Sequence, residues 1–132
     1  MTRFILEEDN MPLIRRFEDI QGWQEARKLV KTIYVLTNSG GFAKDFGLCN
    51  QIQRAAVSTM TNIAEGFDCE SKIEFARFLG IARRSAVEVQ SLLYAALDIG
   101  YITESKFNDH YDQAQKAKAL IGGLKRSLIK PS

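Results

Sequence analysis

The stretch Gln51-Ile52-Gln53-Arg54-Ala55-Ala56-Val57-Ser58-Thr59-Met60-Thr61-Asn62-Ile63-Ala64-Glu65-Gly66 decides the fold class. At about 100° per residue, Gln51, Arg54, Ser58, Asn62 and Glu65 fall within an arc of about 80°. Leu48, Ile52, Ala55, Ala56, Val57, Thr59, Met60, Ile63 and Ala64 occupy about 200° of the remaining circumference, whereas a surface helix commonly shows an apolar stripe a little over about 100° wide. A helix this apolar is expected to be buried on two sides. Leu48, Ile52, Ala55, Thr59 and Ile63 are assigned to the chain's own core. Val57, Met60 and Ala64 are assigned to a neighbouring subunit. Gly66 reads as the helix stop, because glycine accepts the left-handed cap conformation.

Three further helices follow on either side. One is expected from about Gly22 to Asn38, with Trp23, Ala26, Val30, Ile33 and Thr37 on one face and Ser39-Gly40-Gly41 as its stop. Phe42 and Phe46, in the connection, are expected to plug the end of the core. The quoted helix itself runs from about Gly47 to Glu65. The next and longest spans about Glu70 or Ser71 to Ile99. In it, Phe75, Ala82, Val89 and Ala96 repeat every seven residues beside a row of Leu79, Ala86 and Leu93, which is a bundle seam. Gly100 stops this helix. Thr103 then N-caps the last one, which runs to about Ile129 with Phe107, Tyr111, Ala114, Lys118, Ile121, Leu124 and Leu128 on one face. Short links make the later helices antiparallel neighbours. The chain is therefore read as all-α, an up-down-up-down four-helix bundle over residues 17–132, preceded by a peripheral extension, residues 1–16.

The composition fits that reading. Among 132 residues only Pro12 and Pro131 are prolines, and both lie near the ends. The net charge of +2 is too small to mark a nucleic-acid binder by itself. Its distribution is uneven, however. From Gln113 onward the chain holds Lys116, Lys118, Lys125, Arg126 and Lys130 and no acidic residue. Cations there offset the dipole of a helix C-terminus, and they also form a surface suited to RNA, DNA or an acidic partner. Arg27, Lys28 and Lys31, near Tyr34, form a second basic group, and Arg83-Arg84 a third; basic residues beside aromatics suit single strands. Cys49 and Cys69 lack metal-site spacing and are expected as reduced thiols in a cytoplasmic protein. No signal peptide or membrane-length apolar run is read.

Support for catalysis is thin. His110 is the only histidine, which excludes a histidine-rich metal site and leaves any Ser-His-acid triad to this one residue. Bundle di-metal sites need Glu-x-x-His pairs on two helices, and none exists. No cofactor, metal or small-molecule substrate is expected, and no phosphate-binding glycine loop is present. The more informative constellation is polar: Arg54, Ser58, Asn62 and Glu65 on one helix, Ser85 and Glu88 on the next. In antiparallel register Arg54 comes level with Glu88, and the expectation is a buried or interfacial ion pair that fixes helix register. The enzymatic reading would use Glu65, Glu88 and Arg54 as acid, base and anion clamp.

Several runs match a known family. They are Phe17-Glu18-Asp19-Ile20 with Trp23-Gln24-Glu25-Ala26, Phe46-Gly47-Leu48 leading into Gln51 to Ser58, Asn62-Ile63-Ala64-Glu65-Gly66, and Glu74-Phe75-Ala76-Arg77-Phe78-Leu79 with Ile81-Ala82, Ser85 and Glu88. Over about residues 17–128 the chain resembles the four-helix-bundle proteins encoded inside intervening sequences of 23S ribosomal RNA genes. The resemblance implies a homopentameric ring. It also implies kinship with accessory proteins of diversity-generating retroelements, which are thought to bind nucleic acid and a reverse transcriptase. Arg84 departs from the family in standing where a glycine usually precedes Ser85. The functional expectation is a non-enzymatic homo-oligomer that binds or scaffolds RNA, DNA or a nucleic-acid enzyme. The alternative is an oligomer that holds another protein at the bundle ends and has no nucleic-acid role.

Overall fold

The computed structural model describes residues 14–129. A 3-10 turn, Phe17–Asp19, leads into α1 (Gln21–Thr37), followed by the short α2 (Gly40–Lys44), then α3 (Phe46–Asp68), α4 (Lys72–Ile99) and α5 (Glu104–Ile129). The four long helices form a bundle: α3 packs on α4, α4 on α5, and α1 on both α3 and α5. Local chemistry sets their ends. The Asp45 carboxylate accepts the Leu48 N–H at 3.0 Å to start α3. Ser71 caps α4 through the Glu74 N–H at 3.3 Å, and Thr103 caps α5 through the Lys106 N–H at 3.2 Å. Gly100, at φ +93°, closes α4, with the Tyr101 N–H reaching back to the Ala96 carbonyl at 2.9 Å.

Gly66 does not end α3. The helix continues to Asp68, and the left-handed residue beyond it is Glu70, at φ +58°. Gly66 is buried inside the helix for another reason: a Cβ placed on it would stand 2.6 Å from Phe78 Cβ and 3.0 Å from Phe75 Cδ1. Here α4 comes so close that any side chain would push the two helices apart.

The core divides into two clusters. The first holds Ile14, Ile20, Trp23, Ala26, Ile63, Phe67, Phe75, Leu79, Ala82, Ile121, Leu124 and Leu128. The second gathers Leu29, Ile33, Leu36, Phe42, Ile52, Ala55, Ala56, Val89, Leu93, Ala96, Phe107 and Ala114, among others. Thr59, Ala86 and Ala117 are fully buried and belong to neither cluster. Each lies in sequence between the two sets on its own helix, so the bundle has a waist of small side chains. The seven-residue rows expected on α4 are buried in full. On α1, Leu29 and Leu36 take the inward places and Val30 is only partly covered. On α5, Ala117 is buried while Lys118 is half-buried, so the helix turns the smaller residue inward.

Two expectations at the periphery change, for Ile14 and Phe46, and the partly buried Val57, Met60 and Ala64 keep some surface free. Ile14 is buried in the first cluster, so the packed unit reaches back past residue 17; residues 1–13 lie outside the described part. Phe42 plugs the second cluster and stacks on Tyr101 at 5.3 Å, but Phe46 is 81% exposed. Met60 and Ala64, assigned to a neighbouring subunit, already pack on the first cluster beside Phe17 of their own chain, and Val57 is half-buried.

Candidate functional site

The α3–α4 seam carries a directed hydrogen-bond chain. Asn62 donates to Ser58 Oγ at 2.9 Å, Ser58 and Ser85 share a 2.8 Å bond, and Ser85 Oγ donates to the Ile81 carbonyl at 3.1 Å. Each hydroxyl has one proton. With Ser85 donating to Ile81, Ser58 is left to donate to Ser85 while the Asn62 amide supplies Ser58. The row ties the two helices at one register.

The charged members stand outside that chain. Arg54, Glu65 and Glu88 are exposed. Arg54 and Glu88 line an open groove of about 440 Å³ with Asn50, Gln51 and Ser58. The expected Arg54–Glu88 ion pair does not form; none joins them among the described residues. The physical reason is solvation: at an exposed position a long-range pair gains little over water and costs side-chain entropy. The seam is thus joined by its short neutral side chains, and a groove whose charges diverge into solvent is a poor start for acid–base chemistry. His110 is no better placed, since its Nδ1 lies 2.7 Å from the Lys106 carbonyl of its own helix.

Three basic groups were read from the sequence, and Arg83 and Arg84 are exposed on α4. On α1, the Arg27 guanidinium lies 5.8 Å from the Trp23 ring centroid, and Arg27, Lys28 and Lys31 line a groove of about 400 Å³ with Trp23 and Gln24. Part of this charge is neutralised: Glu25 binds Lys28 at 3.1 Å and Lys116 of α5 at 3.6 Å. On α5, Lys118, Lys125 and Arg126 have no carboxylate partner among the described residues. Lys130 lies outside the described part.

Other contacts had no signal in the sequence. Asp45 accepts the Tyr101 hydroxyl at 2.9 Å, linking the start of α3 to the α4–α5 connection. The Leu48 N–H and then Tyr101 hold the Asp45 carboxyl below its ordinary range, and the same bond raises Tyr101. Thr32 donates to Gln113 at 2.6 Å across α1 and α5, and Gln90 to Gln115 at 3.0 Å across α4 and α5. A polar surface residue gives no hint of its partner until two helices set it opposite one. On the α1–α3 side, Tyr34, Val35 and Phe46 line an open groove of about 760 Å³, and Val35 and Phe46 are exposed by 67% and 81%.

No described helix is long and apolar enough to cross a membrane. No curated protein matches the chain. A solved structure from Bacteroides thetaiotaomicron VPI-5482, a protein of unknown function from the S23 ribosomal protein family, has the same fold at a TM-score of 0.74 and 21% identity, covering 80% of this chain and 95% of that one. The family model for the 23S rRNA-intervening sequence protein matches residues 18–123, from the turn ahead of α1 to the glycine pair of α5, and the chain belongs to that family.

Proposed function

We propose that this protein is a non-enzymatic, cytoplasmic homo-oligomer that binds RNA, alone or together with a nucleic-acid enzyme such as a reverse transcriptase. The observation that carries the reading is the row Lys118, Lys125 and Arg126 on α5, cations left without a carboxylate partner among the described residues while Lys116 is paired with Glu25. Unpaired cations release counterions from a phosphate backbone and gain affinity by doing so. The protomer is read as an up-down-up-down bundle. In support, contacts across α3 and α4 run in opposite directions along the chain, Ser58 meeting Ser85 and Gly66 meeting Phe78. A ring of five agrees with the family resemblance. It would multiply the C-terminal excess of basic residues to about +25, enough to steer a polyanion.

The test is a titration of labelled single-stranded RNA at rising potassium chloride, with light scattering for the oligomer mass. Binding that weakens steeply with salt, by a particle of about five chains, is the expected result. No binding at low salt would overturn the nucleic-acid reading, and a monomer mass would overturn the ring. The second reading, a docking oligomer for another protein, draws on the exposed Tyr34, Val35 and Phe46 groove. Capture of a protein from nuclease-treated lysate, lost on Phe46→Ser, would favour it.

A further inference from the structure

Two acid-free segments of this chain meet face to face. Between Glu74 and Glu88, α4 carries Arg77, Arg83 and Arg84 and no carboxylate; from Gln113 onward, α5 carries none either. The bundle sets them side by side: Gln90 bonds Gln115, Lys125 lies at Gly80, and Arg83 lies at Gly122. Glycine at these positions leaves a shallow trough that cationic side chains fill, so both glycines are buried beneath them. A Cβ on Gly122 would stand 3.3 Å from Arg126 Nη1 and 3.5 Å from Arg83 Nε. Two guanidinium groups from different helices therefore converge on one point above a buried glycine. Lys125 does the same at Gly80, its Nζ 3.1 Å from where a Cβ would be, about one turn further along α4.

Such an arrangement is unfavourable for the protein alone. Like charges repel, and none of Arg83, Lys125 or Arg126 has an ion-pair partner among the described residues. Glycine in a helix interior also weakens the helix relative to alanine. Both features become favourable when an oxyanion sits over the trough, because guanidinium forks match phosphate oxygens and the missing Cβ lets the two guanidinium groups draw together. We infer that the α4–α5 trough is a phosphate seat, in which Arg83 and Arg126 grip a phosphodiester group of RNA over Gly122 and Lys125 extends the positive strip over Gly80. The identity of the ligand rests on the nucleic-acid reading above; the seat itself rests on the geometry.

The test compares the wild-type protein with Arg83→Gln/Arg126→Gln, with Gly122→Ala and with the control Arg16→Gln. Labelled single-stranded RNA is titrated across potassium chloride. Inorganic pyrophosphate is titrated separately while the arginine Nε–H signals are followed by NMR. The double variant should bind RNA about 10- to 100-fold more weakly, with a salt slope lower by about 1.5. Gly122→Ala should weaken binding a few-fold while melting no lower than wild type, and Arg16→Gln should match wild type. RNA binding unchanged in affinity and slope by the double variant would overturn the seat and leave the nucleic-acid reading standing. Pyrophosphate shifting the Arg83 and Arg126 signals while RNA fails to bind would support the seat and overturn that reading. Absence of both responses would overturn both.

Discussion

Gly66 and Gly122 both sit inside a helix, both are buried, and both face α4, yet they are there for opposite reasons. At Gly66 the vacant Cβ position is filled by Phe78 Cβ, an atom fixed to the neighbouring backbone. At Gly122 the nearest atoms belong to the side chains of Arg83 and Arg126, which are flexible and charged. The α3–α4 seam is accordingly a closed structural joint, completed by the neutral Asn62–Ser58–Ser85–Ile81 chain. The α4–α5 seam has a closed core and an open, positive outer edge. A helix-interior glycine thus marks either a packing contact or a place kept clear for charged side chains to converge, and the atoms beside it decide which.

That contrast can be broken by mutation. The largest effect is expected at Gly66→Ala. Overpacking against Phe78 costs about 1–3 kcal/mol, and the better helix propensity of alanine returns about 1 kcal/mol, so urea denaturation should show a net loss of up to about 2 kcal/mol. Next comes the hydroxyl pair. Ser58→Ala and Ser85→Ala, with their double variant, should give a coupling energy of about 0.5–1.5 kcal/mol in a double-mutant cycle. A coupling of zero would mean that the seam is held by Gly66 and its aromatic neighbours alone.

A further change, whose size depends on pH, probes the bond that ties both seams at one end. The folded protein holds the Asp45 carboxyl below its ordinary value near 3.8. Its contribution is therefore present above that value and disappears as pH falls through the lower folded value. Asp45→Asn should be less stable than wild type at pH 7, with the gap between their urea midpoints closing below about pH 3–4. Tyr101 is raised above its ordinary value near 10, mainly by its bond to Asp45. Its contribution is intact below pH 10 and is lost as pH rises through the folded value, so Tyr101→Phe should flatten the alkaline limb. The smallest stability effect belongs to Gly122→Ala, which should be neutral or stabilising by up to about 1 kcal/mol.

Much of this molecule was legible in the sequence because α4 is regular. Phe75, Ala82, Val89 and Ala96 repeat at one interval, Leu79, Ala86 and Leu93 at the same interval beside them, and all are buried. The cap residues Thr103 and Gly100 were equally plain, since their chemistry is local. Gly66 was misread for a related reason. A glycine after an apolar run looks like a stop, and only the approach of Phe78 from a distant part of the chain distinguishes contact from cap. Arg54 and Glu88 were matched correctly in level but not in fate, because periodicity gives height and angle and says nothing about whether water takes the place of the partner. The basic residues of α5 were visible as a run. Their convergence with Arg83 over Gly122 required two helices to be laid in register, which no single segment records.

The most direct test sets the two glycines against each other in one measurement. Gly66→Ala and Gly122→Ala are each assayed for urea midpoint and for RNA affinity at low salt, under conditions where both are folded. The expected result is a crossed pattern: Gly66→Ala loses stability and keeps its affinity, while Gly122→Ala keeps its stability and loses affinity a few-fold. Parallel losses in both variants, or an RNA affinity indifferent to Gly122→Ala, would contradict the division of the bundle into a structural seam and a phosphate-binding one.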